Sequence, residues 1–223
     1  MLSSYNVIII MIDGGRCDRS INSDFYKKLK EKSVFFSQPV TYAPHTIAAM
    51  HAVFSGCYGL RTGTDSYWST YKFKKNQFRT ITEYLHDQNY YTSADIVSEI
   101  VIPKQGFDEF QIHDEEKDDL TLRHLELIEK TYANNKNKNF FLYLQFSDIH
   151  TGISNEVLQV YDNFSEEYFQ NKKLNKKRYD KLFKKSEFYL DKILDKINSL
   201  GLEKNSIILI MSDHGISIGE KVG

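Results

Sequence analysis

Cysteine is nearly absent from this chain: Cys17 and Cys57 are the only two in 223 residues. Two cysteines build neither a disulfide framework nor a zinc-ribbon spacing, so the sequence reads as carrying two reduced, mostly buried thiols. Proline is scarce, at three residues. No run of 18 apolar residues exists, which excludes a membrane-spanning helix. The N-terminus has no basic segment leading into an apolar stretch and a small-residue cleavage site; "NVIIIMID" is short and ends on an acid, as a buried strand does. These absences point to a cytoplasmic location. Charge of one sign is also missing. The 29 basic and 30 acidic residues leave a formal net charge of -1, so no broad pull toward nucleic acid or an acidic membrane surface is expected.

What is present suits a folded α/β domain. Hydrophobic residues make up 41%, with 15 Tyr and 15 Phe, enough for a sizeable core. Three solid apolar runs, at 6–12, 139–146 and 205–211, suit strands buried on both faces. Residues 90–97 are a further strand candidate. Residues 33–41 are a weaker one, placed near an edge because Pro39 would break a central ladder. Helical patterns fall at 23–32, 46–56, 79–89, 120–135 and about 163–200. Apolar faces are expected at Ile81, Tyr84 and Leu85, at Leu122, Leu125 and Ile128 or Glu129, and along Phe183 to Ile197; Gly56 and Gly201 are stops. The β-α-β alternation predicts a mostly parallel central sheet with helices on both faces. One domain over 1–223 is expected, with a charged helical insertion at about 151–180. Lys172 to Lys185 holds eight Lys/Arg and one Asp, either a solvated helix face or a docking surface for an anion.

Ligands in open α/β sheets sit outside the carboxyl ends of the strands. Asp13 follows the first run, Asp148 and His150 follow the run at 139–146, and Asp213 and His214 follow the last. Carboxylate oxygens with imidazole nitrogens suit Zn²⁺ or Mn²⁺ rather than a thiolate-bound metal. Each residue alone also reads as a turn former, a helix cap or a surface histidine. Thr46 begins a helix after Pro44. Its hydroxyl is either a plain N-cap or, beside a metal and the free N–H groups of a helix start, a nucleophile. His45 and His51 flank this position in supporting or surface roles. His86, His113 and His124 have no companion at ligand spacing.

Four stretches carry a family resemblance: "IIIMIDGGRCDR", "TIAAMHAVFSGCYGLRTG", "TITEYLHDQNYYTSADI" with "GFDEF", and the pair "FLYLQFSDIHTG" and "IILIMSDHGISIGE". Together they resemble the N-terminal part of a sulfatase-like member of the alkaline phosphatase superfamily, over about residues 5–223. The resemblance implies metal binding by Asp13, Asp213 and His214, with Thr46 as a nucleophile that also touches the metal. His150 would lie near the transferred group, Asp148 would serve a second metal or the substrate, and Arg16 would contact the substrate or anchor its loop. A divalent ion is implied: Zn or Mn, or else Ca or Mg. Family domains continue beyond the Asp-His-Gly strand, so the chain is expected to be C-terminally incomplete.

Departures from the pattern refine the expected chemistry. Sulfatases oxidise a Cys or Ser to formylglycine; Thr46 carries a methyl there and cannot give that aldehyde. The usual Pro and Arg after the nucleophile are Ala48 and Met50, and Gly14 stands where many members place another metal-binding Asp. The expected activity is hydrolysis or transfer of phosphate esters, of the phosphodiester or phosphoethanolamine type, on small anionic or glycan- or lipid-linked substrates. The alternatives are a sulfate-ester hydrolase without formylglycine and an inactive binding relative.

Overall fold

The computed structural model describes residues 5–66, 69, 72–157 and 170–220, with backbone alone for 154–157. Five parallel strands form one sheet: β1 (Asn6–Ile12), β2 (Tyr91–Ile96), β3 (Glu109–Ile112), β4 (Phe140–Phe146) and β5 (Ser206–Met211), in the order β3-β2-β4-β1-β5. The helices are α1 (Cys17–Asn22), α2 (Asp24–Lys30), α3 (Thr46–Ser55), α4 (Gly59–Thr62), α5 (Ile81–Asp87), α6 (Leu120–Asn134), α7 (Asp148–Val157) and α8 (Lys172–Ser199).

The solid apolar runs are solid because both faces of the sheet are covered. Ile8, Ile10 and Ile12 of β1, with alternate residues of β4, pack on Leu127 and Ile128 of α6, Ile149 and Ile153 of α7, and the Tyr179–Ile197 stripe of α8. Ile9 and Met11, with Phe141 and Tyr143, face Met50 and Phe54 of α3. The period of two in the strands thus divides one apolar run between two cores. β5 is an edge strand, and its Ile207 and Leu209 are exposed.

Several expectations need correction. Residues 33–41 form no strand: Val34, Phe36 and Val40 are exposed, Val40 by 93%. Strand β3 was not anticipated as such; its four residues are only partly covered, so no apolar run marks it. The face of α5 is rotated: Thr82 is buried and Ile81 and Tyr84 are exposed, because Thr80 and Glu83 form a capping box and Thr82 bonds the Gln105 carbonyl. On α6, Leu122 is exposed and His124 is fully buried. Cys17 is exposed and Cys57 half-buried, so neither is a core thiol. Of the expected insertion at 151–180, residues 158–169 lie outside the described residues. The charged stretch after them opens α8, which turns its lysines outward and buries Tyr179 and Phe183. No helix among the described residues is long and apolar enough to cross a membrane.

Candidate active site

β1 lies between β4 and β5, so the carboxyl ends of three neighbouring strands open onto one place. Asp13 leaves β1 and is followed by Gly14 at φ +72°, the left-handed region that favours glycine. A Cβ at Gly14 would lie 2.4 Å from Ile216 Cδ1. A larger residue at this position, such as an aspartate, is strained twice over.

Asp13, Asp213 and His214 each offer a ligand atom, and these atoms lie within 4.8 Å of one another. Each carboxylate spends one oxygen on the protein. Asp213 Oδ1 accepts the backbone N–H groups of Gly14 (3.3 Å) and His214 (2.9 Å). Asp13 Oδ2 accepts from Gln145 Nε2 at 2.8 Å. The other oxygens, Asp13 Oδ1 and Asp213 Oδ2, are buried without a hydrogen-bond partner among the described residues. His214 Nδ1–H donates to the Gly215 carbonyl at 2.9 Å. That bond selects the tautomer whose Nε2 lone pair faces Asp213 Oδ2 (3.4 Å) and Asp13 Oδ1 (3.7 Å). Burial, and then the negative charge of Asp213, push the Asp13 carboxyl well above the ordinary carboxylate range. Orphaned oxygens and a fixed imidazole lone pair form a donor set that fits a divalent cation.

Thr46 lies beside this set. Its sequence position suits either an N-cap or a nucleophile; the N-cap of α3 is His45, whose Nδ1 accepts the Ala48 N–H at 3.5 Å. Thr46 is the first helical residue, and its Oγ1 sits 3.2 Å from His214 Nε2. Its hydroxyl is therefore not consumed in capping. α3 packs against the sheet through Met50 and Phe54 and stops at Gly56, φ +63°.

The other expected residues fall nearby or outside. The His150 ring is 6.3 Å from that of His214, centroid to centroid. Burial, and then His214, lower its pKa, which favours the neutral imidazole. Asp148 pairs with Lys185 at 2.6 Å and lines a shallow cavity with Glu115, Glu116, Thr151 and Gly152; the cluster of Asp13, Asp213 and His214 does not include it. The Arg16 guanidinium bonds both Asp18 oxygens, Glu220 (2.8 Å) and the Ile216 carbonyl (2.9 Å). It ties the segment after His214 to the turn after Asp13.

Some residues of the site were not anticipated. Gln145 orients Asp13, and Tyr179 bridges the turn by donating to the Gly14 carbonyl (2.7 Å) and accepting the Arg16 N–H (2.8 Å). Neither carries a sequence signal, since both lie within a strand or helix pattern. His113 and His124, read as having no companion, converge on Asp95 in a second buried group. Their link is invisible without β3, which delivers His113.

The sulfatase family profile matches residues 5–223. No curated protein matches the chain. Among solved structures, the lipoteichoic acid synthase LtaP from Listeria monocytogenes superposes with TM-score 0.70 at 16% identity, covering 96% of this chain and 57% of that one. The periplasmic domain of the phosphoethanolamine transferase EptC from Campylobacter jejuni superposes at 0.67 and 13%, covering 97% and 71%. BT4656, bound to its substrate D-glucosamine-2-N,6-O-disulfate, does so at 0.68 and 14%, covering 97% and 67%. Two further structures are covered to 60% and 64% of their length, so the chain spans roughly three fifths of such relatives. At these identities the superpositions speak for the fold, and the profile over nearly every residue speaks for descent: the chain belongs to the sulfatase family.

Proposed function

We propose that this chain cleaves or transfers phosphate esters, of the phosphodiester or phosphoethanolamine type, with Thr46 as nucleophile and a divalent ion as cofactor. The observation that carries the reading is the 3.2 Å approach of Thr46 Oγ1 to His214 Nε2 beside two buried, unpartnered carboxylate oxygens. Asp13, Asp213, His214 and Thr46 would hold one ion. Hard oxygens with one imidazole suit Zn²⁺ or Mn²⁺, then Ca²⁺ or Mg²⁺. When bound, the ion supplies a lowered hydroxyl pKa and a sink for phosphoryl charge.

The chain's own residues do the rest. Thr46 Oγ1 loses its proton to solvent and bonds to phosphorus as the bond to the leaving oxygen breaks. The N–H groups at the start of α3 that the His45 cap leaves free would donate to the developing oxyanion. His150, held neutral by burial, donates an N–H hydrogen bond to a phosphoryl or leaving oxygen. The phosphothreonine ester then passes its phosphoryl group to water, as a hydrolase, or to an acceptor hydroxyl, as a transferase. Glycan- or lipid-linked esters fall within this class.

Sulfate esters are the competing substrates within the family. Thr46 cannot form the formylglycine aldehyde, which favours direct attack on phosphorus. The test compares an aryl phosphodiester, an aryl phosphate and an aryl sulfate on the wild-type chain and on Thr46→Ala. Phosphoester turnover that Thr46→Ala abolishes supports the reading. Preferred sulfate turnover, or substantial turnover by Thr46→Ala, overturns it.

A further inference from the structure

The second buried group, beyond the Thr46 cluster, is built from four elements. Asp95 is next to last in β2, His113 follows β3, His124 lies on α6, and Ser147 stands between β4 and α7. All four are buried: Asp95 and His124 have no exposure, His113 has 2% and Ser147 has 1%. His113 Nδ1–H donates to Asp95 Oδ1 at 2.5 Å, and His113 Nε2 lies 3.1 Å from Ser147 Oγ. Arg123 Nε donates to Asp95 Oδ2 at 2.5 Å. His124 Nδ1 meets Tyr189 Oη at 2.7 Å, and its Nε2 lies 3.6 Å from Asp95 Oδ1.

Two functional readings of this group fail on physical grounds. Ser147, His113 and Asp95 have the connectivity of a nucleophile triad, but a serine with 1% exposure meets no ester. The spacing of Asp95, His113 and His124 would also suit a metal. The carboxylate, however, already has its cation in Arg123. Burial pushes the Asp95 carboxyl up, yet the hydrogen bonds from His113 and Arg123, with the His124 ring 3.6 Å away, outweigh it and hold the pKa below the ordinary range. A divalent ion added beside Arg123 would leave excess positive charge in the core.

What the group does hold is the start of α7. Ser147 occupies the position from which a serine usually caps its own helix, but its hydroxyl turns to His113. Asp95 takes the Nδ1–H of His113, and the tautomer that bond selects presents its Nε2 lone pair to Ser147 Oγ, 3.1 Å away. The Ser147 carbonyl accepts the Thr151 backbone N–H at 2.9 Å, and Thr151 Oγ1 donates to Glu115 Oε2 at 2.7 Å. The first turn of α7 is thus pinned at both ends by the loop that follows β3. His150 lies between the two pins.

We propose that His113, fixed in one tautomer by Asp95, is a positioning residue that aims His150 at the Thr46 cluster through Ser147. The inference rests on the role given to His150 above. A pair of variants separates positioning from mere support of the fold. His113→Asn keeps a donor near Asp95 and removes the acceptor for Ser147; His113→Gln keeps an acceptor near Ser147 and gives up the Asp95 bond.

The experiment measures amide hydrogen exchange and aryl phosphodiester kinetics on the full chain. In His113→Asn the Thr151 amide should exchange about tenfold faster, with β1 and β4 amides unchanged, and kcat should fall by ~10- to 100-fold at nearly constant KM, the scale of an ångström misplacement. His113→Gln, which keeps the Ser147 contact, should lose clearly less than His113→Asn in both. Ser147→Ala, which leaves the His113–Asp95 bond intact, should repeat the His113→Asn result and stands in should that variant fail to fold. Thr151 exchange at the wild-type rate in Ser147→Ala, equal losses in His113→Asn and His113→Gln, or faster exchange with kcat unchanged would each overturn the proposal. So would a zinc ion bound by the wild-type chain and lost in Asp95→Asn. A wild-type chain without phosphodiester turnover contradicts the Thr46 reading instead, and Thr151 exchange alone then decides the positioning.

Discussion

Thr46 and His214 lie 168 residues apart in sequence, yet Thr46 Oγ1 approaches His214 Nε2 to 3.2 Å. Parallel topology brings them together. Asp213 and His214 follow β5 and Asp13 follows β1, neighbouring strands paired from Asn6↔Ser206 to Met11↔Met211. α3 delivers Thr46 from the face carrying Met50 and Phe54.

The Thr46 hydroxyl is expected to be indispensable and its methyl expendable. Thr46→Ala should lower turnover at least about a thousandfold, while the bound metal persists on Asp13, Asp213 and His214. Thr46→Ser should retain measurable turnover. Steady-state kinetics with metal analysis of the same preparations checks both; equal activity in Thr46→Ala and Thr46→Ser would sink the assignment.

Tyr179 is predicted to be a structural strut of the site. Its buried hydroxyl serves the Gly14 carbonyl and the Arg16 N–H together. Tyr179→Phe leaves both backbone groups without that partner and should cost about 1–3 kcal/mol in urea unfolding. Loosening the turn after Asp13 should also weaken metal binding. Unchanged stability would mean that water replaces the hydroxyl.

Gly14 should resist substitution. At φ +72° any side chain is strained by about 1–2 kcal/mol, and Ile216 already occupies the Cβ direction. Gly14→Ala should therefore be destabilised, and Ile216→Ala should relieve it only in part, because the backbone strain remains. Thermal unfolding of the single and double variants measures this; complete rescue would place all the cost in the Ile216 clash.

Stability should fall on mild acidification. Burial lowers the His51 pKa from 6.5 to about 4, its bond to the Ile47 carbonyl offsetting only part of the shift. The unfolded chain takes up the proton more readily, so the contribution is full above pH 6.5 and declines as pH falls toward 4. It amounts to about 3 kcal/mol. His51→Leu should flatten this part of the urea-unfolding pH profile. An unchanged slope in His51→Leu would assign the effect to other buried groups such as His124.

How much of this was legible in the sequence differs by kind of residue. β1, β4 and β5 announce themselves as solid apolar runs, and Asp13, Asp213 and His214 stand within three residues of the ends of two of them. Thr46 could be placed at a helix start, but not freed from capping: that depends on His45 taking the cap, which is a matter of side-chain geometry. β3 escaped because a short, half-covered strand carries no apolar run, and with it went the partnership of His113 with Asp95. The α5 and α6 faces slipped because capping and a buried histidine outweighed apolar spacing. Asp148 follows β4 as a carboxylate at a strand end, and its pairing with Lys185, which α8 brings alongside, is invisible in the sequence.

Asp13, Asp213 and His214 are expected to bind a divalent metal. Elemental mass spectrometry of the purified chain after mild dialysis, for wild type and Asp213→Ala, tests it most directly. The account predicts about one zinc or manganese per wild-type chain and a clear loss in Asp213→Ala. No metal in a folded wild-type chain, or equal metal in both proteins, would contradict it.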